Sequence, residues 1–279
     1  MKKTKQKQWW QLRYGTKKGV AGYLNTYSDI LDDFISQQEV QTMINFLKNY
    51  QFSLSSQTPI LDGFCGNCRH SKQLVLKGFK NITAFDWSKE MLTIAEKNLN
   101  SHRRQVVLFK EDGRDLTFST NLFDLYFVLG NSAFGFFDNP KDDLKVALEA
   151  CRVIKPAGVF IFDLVDYDYV VNQLNNHVFE SVENGIRVIR KRKTFQHNGL
   201  LKTGHEEIRF HQDRIDRQII GRWVYTNQQV VNLLNKAGFD EIYFKKEAFC
   251  YDKYSDKYGT MGVRNLFLAT KNGSKKKGR

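Results

Sequence analysis

Residues 58–86 read TPILDGFCGNCRHSKQLVLKGFKNITAFD. An apolar run, Ile60 and Leu61, closes on Asp62; a short glycine-containing turn follows; a helix begins near Arg69; and a second apolar run, Ile82, Ala84 and Phe85, closes on Asp86. That order is one β-α-β unit. In doubly wound α/β sheets a ligand sits beyond the carboxyl ends of the strands, where the first turn approaches it and an acid after the second strand takes ribose hydroxyls. Asp86, 24 residues after Asp62, is spaced for the second task.

The same alternation continues outward. Ser88 is placed to cap a helix over Met91–Leu99. Val106–Phe109 is an apolar third strand that delivers Glu111, Asp112, Gly113 and Arg114 to the same sheet edge. Phe123–Leu129 is a fourth, ending on Gly130, Asn131 and Ser132. A helix over Lys141–Val153 stops at Lys155-Pro156-Ala157-Gly158, and Val159–Val165 is a fifth strand. Strands alternating with helices at this interval predict a parallel, right-handed α/β sheet.

Ahead of the first strand, Tyr23, Tyr27, Ile30, Leu31 and Phe34 recur at helical spacing after a turn-like stretch from Tyr14 to Gly19, and Val40, Met43, Ile44 and Leu47 repeat the pattern. They predict two helices that cover the sheet or form a lid. Residues 178–225 change character: runs of alternating polar and apolar residues are separated by Asn184-Gly185 and Asn198-Gly199, the strongest short hairpin signal. We read them as an antiparallel insertion of three or four strands. Its Arg187, Arg190, Lys191, Arg192 and Lys193 are read as a solvated face, with a platform for an anionic substrate as the alternative. A helix from Thr226 to Gly238 and two last strands, Glu241–Phe249 and Val263–Thr270, complete the chain. The predicted fold is a doubly wound, seven-stranded α/β sheet with N-terminal helices (9–50) and the β insertion (178–225), all within one domain of residues 9–270.

Composition narrows the class. The 279 residues are 41% hydrophobic and carry a formal charge of +13. Nine of those charges fall in residues 1–8 and 271–279, which hold no acid, so the remainder is only +4. These ends read as basic, solvated tails, with RNA attraction as the sharper alternative. No apolar stretch of membrane length occurs, and residues 1–8 lack the apolar core of a signal peptide, so a cytoplasmic protein is expected, with no membrane partner. The four cysteines are too few for a disulfide scaffold.

Cys65-Gly66-Asn67-Cys68 between a strand and a helix looks like a thioredoxin-type redox motif. A thioredoxin fold needs a proline loop facing the dithiol, which Pro59, Pro140 and Pro156 are not placed to supply, and five strand-helix units are too many. A metal site at Cys65, Cys68 and His70 lacks a second ligand pair. Neither redox nor metal chemistry is expected.

Taken in order, Asp62 to His70, Asp86-Trp87-Ser88 with Met91, Glu111 to Leu116, Leu129 to Ser132 with Phe134 to Phe137, Arg152 to Gly158, and Ala237-Gly238-Phe239 resemble the segments of class I, Rossmann-like S-adenosylmethionine (SAM)-dependent methyltransferases, over roughly residues 9–270. The resemblance is strongest to a branch similar to small-molecule N- and O-methyltransferases, including those acting on amino sugars. It implies SAM as cofactor and S-adenosylhomocysteine as product. It implies a cofactor site of Asp62, Gly63, Cys65, Gly66, Asp86, Trp87, Met91, Asp112, Gly113, Arg114, Leu129 and Gly130. In that site Asp62 would orient the methionine end, Asp86 would take the ribose hydroxyls, Trp87 and Met91 would wall the adenine and Asp112 would accept its amine. Tyr14, Tyr27, Asn131, Phe134 and Tyr225 are the expected substrate-facing residues for a small methyl acceptor. No catalytic dyad is legible. The family pattern places glycines where this chain has Phe64 and Cys68, so a shifted turn is expected there, with a weakened SAM site or a methyltransferase-like binding protein as the alternative.

Overall fold

The computed structural model describes residues 9–28, 31–174, 177–183, 185–212, 215–251 and 258–271. A seven-stranded sheet has the order β10 (Glu241–Cys250), β11 (Val263–Thr270), β5 (Ile154–Val165), β4 (Phe123–Val128), β1 (Ile60–Gly63), β2 (Ile82–Asp86), β3 (Val106–Lys110), and a separate four-stranded sheet has the order β6 (Val178–Glu183), β7 (Ile186–His197), β8 (Leu200–Phe210), β9 (Ile215–Val224). The predicted doubly wound α/β architecture with an antiparallel insertion is the one observed.

In the large sheet, β1 (Ile60–Gly63) lies between β2 (Ile82–Asp86) and β4 (Phe123–Val128), parallel to both. β3 (Val106–Lys110) extends one edge in parallel, and β5 (Ile154–Val165) adjoins β4. β11 (Val263–Thr270) runs antiparallel to β5 and to β10 (Glu241–Cys250). The order reverses at β1 and β4, so the crevice that binds ligands in such sheets opens beyond Gly63 and Val128. Strands at the centre are apolar on both faces because helices cover both: Phe85, Tyr126, Phe160 and Phe162 belong to one layer, Ile60, Ala84, Phe127 and Ile161 to the other. Each large apolar side chain so buried contributes about 1.5–3 kcal/mol.

Helices α4 (Arg69–Leu76), α5 (Lys89–Leu99), α6 (Lys141–Val153) and α8 (Asn227–Ala237) agree with the patterning, and a single turn, α7 (Tyr167–Tyr169), follows β5. α8 carries a full capping box between Thr226 and Gln229 and ends on left-handed Gly238. The N-terminal region differs from expectation. α1 (Trp9–Tyr14) precedes α2 (Lys17–Thr26), whose cap is Thr16, so the turn contracts to Gly15-Thr16. The predicted helix through Tyr23 and Phe34 is broken, because the Asp32 carboxylate accepts the Ile35 N–H and starts a new helix, α3 (Asp33–Asn49), leaving Phe34 exposed. Helical spacing persisted across a cap that ended it.

The insertion is a meander of β6 (Val178–Glu183), β7 (Ile186–His197), β8 (Leu200–Phe210) and β9 (Ile215–Val224). β9 is stitched to the loop after β4: the Trp223 N–H donates to the Gly135 carbonyl (2.9 Å) and Trp223 Nε1 to that of Phe137 (2.9 Å). This anchors the small sheet over the crevice of the large one. α1 also packs on β9, which closes a third side.

Candidate functional site

A cleft of about 1290 Å³, its mouth included, opens where these parts meet. One half is built on the strand ends of the large sheet, the other on α1, α2 and the inner face of the small sheet.

Asp86 ends β2 and opens into the cleft. Its Oδ1 accepts the Ser88 N–H (2.7 Å) and its Oδ2 the Gly66 N–H (2.9 Å). Each oxygen keeps a further lone pair, so the carboxylate can take two more donors side by side. Burial pushes its pKa up to about 6, against the opposing pull of the Ser88, Gly66 and Trp87 backbone bonds. Ser88 caps α5 and its hydroxyl donates to the Tyr14 carbonyl, which fixes α1 over the site. Trp87 and Met91 form one wall, and Trp87 is braced edge-on by Trp10 (5.0 Å between rings). Asp112 and Gly113 line the far end. The Arg114 guanidinium donates to both oxygens of Asp112 and to Asp142. Burial works against the charge of Asp112, but these bonds outweigh it and hold its pKa below the usual range. Its Oδ2 accepts from Arg114 Nη2 and retains a lone pair for a further donor.

The turn after β1 carries side chains in left-handed backbone. Phe64, Gly66 and Cys68 stand at the three positions where the family pattern has glycine, and all three adopt left-handed backbone, with φ of +51°, +54° and +58°. The turn holds side chains in left-handed backbone at Phe64 and Cys68, at a cost of roughly 1–2 kcal/mol for each. The Phe64 ring is accommodated because Gly113 opposite it has no side chain: a Cβ there would run into the ring.

Of the other expected cofactor residues, Gly130 lines the cleft, and Cys65 and Leu129 line a smaller recess that also contains Gly66, Met91 and Gly130. Asp62 turns away: it is buried, accepts the Ser71 hydroxyl (2.6 Å), and its pKa is pushed up to about 7 by burial. Gly63 gives room to the Tyr126 ring, and Arg114 acts on Asp112 from behind. Burial raises the Cys65 thiol well above its ordinary pKa, so it is not a poised thiolate.

Of the expected substrate-facing residues, Tyr14 and Tyr27 line the cleft and Asn131, Phe134 and Tyr225 do not. The Asn131 side chain accepts from the Val165 N–H and donates to the Thr260 carbonyl, which holds Thr260 and Met261 against the cleft. Phe134 packs on Phe160 and Phe162, and the Tyr225 hydroxyl donates to Asp143 (2.5 Å). Residues after β4 and at the end of β9 were expected in the cleft because they leave strand ends; their hydrogen bonds turn them into the core instead.

Tyr23 of the expected lid also lines the cleft; missed by sequence reasoning were Arg13, Thr203 and Arg222, all cleft residues, and the position of Arg192. Residues 188, 190 and 192 alternate inward on β7, so Arg190 and Arg192 are buried, while Arg187, Lys191 and Lys193 are exposed. The solvated-face reading therefore fails for two of the five cations. Strand alternation from the Asn-Gly turns carried that signal. The basic residues 1–8 and 272–279 lie outside the described residues.

Comparison with known proteins places this geometry. Residues 60–158 match the family described as "Methyltransferase domain". That segment is thus similar to methyltransferase domains, and its sheet resembles that of the class I, Rossmann-like methyltransferases, whose cofactor is SAM. A glycine/sarcosine N-methyltransferase of Halorhodospira halochloris is 31% identical over 159 residues, 56% of this chain and 57% of its own length. The chain thus spans little more than half the length of the curated relatives it matches. The fold as a whole resembles a SAM-dependent methyltransferase from Clostridium acetobutylicum, with TM-score 0.68 and 20% identity over 92% of this chain and 99% of that one. It also resembles SAM-bound CalS10, an amino pentose methyltransferase from Micromonospora echinaspora, with TM-score 0.61 and 17% identity over 85% and 92%. Among the described residues no helix is long and apolar enough to cross a membrane.

Proposed function

We propose that the protein transfers a methyl group from SAM to a nitrogen or oxygen of a small polar molecule. The observation that carries this reading is Asp86, whose two oxygens are held by the Ser88 and Gly66 N–H groups while facing the cleft beside Gly130. An ionised acid so fixed accepts two neighbouring hydroxyls in one plane. Trp87 and Met91 would hold the adenine between them, and Asp112, steadied by Arg114, would accept its amine.

When bound, the cofactor supplies a methyl on a cationic sulfur, which departs as the neutral thioether of S-adenosylhomocysteine. The chain's own part is proximity and alignment. Trp10, Tyr14 and Tyr23 line the cleft and would shield the reacting groups from water. Burial raises the Tyr14 and Tyr23 hydroxyls above their ordinary pKa, so they stay neutral and can donate hydrogen bonds to an acceptor. His70 faces Glu39 within the protein, and burial lowers its pKa to about 4, so it is not the base. The accepting atom must therefore arrive with its lone pair free, and an amine sheds its proton to solvent.

Transfer of radiolabel from methyl-labelled SAM to a panel of small amines and alcohols tests the reading. Turnover that disappears in Asp86→Ala, together with SAM binding, supports it; an Asp86→Ala variant that binds SAM as tightly as the parent contradicts it.

A further inference from the structure

Three guanidinium groups line the acceptor half of the cleft: Arg13 from α1, Arg192 from β7 and Arg222 from β9. They are 6%, 5% and 7% exposed, so each is more than nine-tenths buried. Burying a cation is costly unless an anion or a set of acceptors meets it. Nearby carboxylates hydrogen-bond to other donors, yet Glu207 favours the charge of Arg13, and Asp143, whose Oδ1 has no partner, favours that of Arg222. Glu207 accepts from Arg190 Nε (2.9 Å) and Arg209 Nε (2.8 Å), Asp143 accepts from Tyr225 and from the Gly135 N–H, and Asp163 is paired with Arg264.

Arg222 shows what is missing. Its Nη2 donates to the carbonyls of Asn131 (3.1 Å) and Phe134 (2.8 Å), and its Cζ lies 4.4 Å from the centre of the Phe136 ring. Among the described residues it forms no ion pair, and its Nε has no hydrogen-bond partner. Thr203 stands directly opposite Arg222 in the β8–β9 register, also lines the cleft, and is 3% exposed. Its Oγ1 likewise has no partner. Buried polar groups in folded proteins are paired in roughly nine cases of ten. Two adjacent orphans on the wall of a cleft, one of them cationic, therefore mark where a ligand's oxygens belong.

Resting on the methyltransferase reading above, we propose that the methyl acceptor carries an oxyanion, a carboxylate or a phosphate, which Arg222 and Thr203 bind and which Arg192 and Arg13 help to neutralise. A guanidinium fork matches either group. The same cluster has a second consequence for an amine acceptor. Like charges disfavour protonation, so three nearby cations keep the amine neutral and its lone pair free, in a site whose own side chains offer no base. Anion recognition and nucleophile preparation are then one electrostatic device.

The experiment titrates the full chain, saturated with S-adenosylhomocysteine, with matched probes: glycine against glycinamide, and glucosamine 6-phosphate against glucosamine, each pair differing in the anion. Tenfold or tighter binding of the anionic member is expected in at least one pair, and the pair that responds separates carboxylate from phosphate. Thr203→Val and Arg222→Gln are expected to bring that preference down toward parity, with S-adenosylhomocysteine affinity as the folding control. Should loss of its carbonyl contacts unfold Arg222→Gln, Gly259→Ala serves as the second variant, because a Cβ there runs into the Arg192 guanidinium. Equal binding of charged and neutral members, or no binding of any anionic probe by a protein that does bind S-adenosylhomocysteine, overturns the inference. Failure of S-adenosylhomocysteine itself to bind removes the methyltransferase reading first and this inference with it.

Discussion

At the scale of single residues, the β2 end was readable and the β1 turn was not. Asp86 follows a strand end whose position the apolar run fixes, so its place in the cleft follows from spacing, while Trp87 and Met91 were expected there from the family resemblance. Asp62 follows the same logic yet faces the Ser71 hydroxyl, a contact set by the rotation of α4 that no local pattern encodes. Because Asp86 has its pKa raised to about 6, its accepting form is complete above that pH and is lost as pH falls through it. SAM affinity is expected to fall about tenfold between pH 7.5 and pH 5, where roughly a tenth of such a group remains ionised. An Asp86→Asn variant should bind weakly and with no such pH dependence, and calorimetry at several pH values reads both. The Phe64–Gly113 contact gives a second expectation. Gly113→Ala should weaken SAM binding and destabilise the fold by about 1–3 kcal/mol through overpacking, and Phe64→Gly in the same chain should recover most of both. A double-mutant cycle that returns purely additive effects would mean that the ring and the glycine do not share the space.

Between elements, a buried network ties α3 to the sheet at the floor of the cleft. Glu39 on α3 meets Arg69 and His70 of α4, Arg264 of β11 and the Tyr251 hydroxyl, and Arg264 also meets Asp163 of β5. Burial alone would raise the pKa of Glu39, but the two arginines hold it well below the ordinary range. Its contribution to stability is thus present above the usual glutamate pKa and is lost as pH falls below it. Glu39→Gln leaves two buried cations short of an anion and should cost about 3–5 kcal/mol, read as a melting point lower by roughly 2–4 °C per kcal/mol. A loss under 1 kcal/mol would show that Asp163 and Tyr251 suffice. None of this was visible in sequence, since its members come from four distant segments. The strand-helix order was visible, because buried parallel strands are apolar throughout and caps such as Ser88 and Thr226 mark where helices start. Where Asp32 capped α3, reading the apolar spacing alone ran two helices together.

For the whole molecule, the cleft exists because two sheets and α1 converge on one strand-end crevice, with β9 bonded to the loop after β4. The sequence indicated each sheet separately; it did not indicate that the insertion's inner face would bring Arg192, Thr203 and Arg222 opposite Asp86 and Gly130. The two halves of the cleft are then chemically distinct, an acid-edged half suited to a nucleoside and a cation-rich half suited to the acceptor. Binding to the first half should proceed without the second, so Arg222→Lys is expected to keep SAM affinity within about threefold while lowering turnover of any acceptor. The most direct measurement is thermal unfolding of the full chain with and without SAM and S-adenosylhomocysteine. At about 100 times its dissociation constant a ligand adds about 2.7 kcal/mol, so the midpoint should rise by several degrees, at roughly 2–4 °C per kcal/mol, and the rise should vanish in Asp86→Ala. A folded parent protein whose midpoint moves with neither compound, even at millimolar concentration, would contradict the assignment of this cleft to SAM.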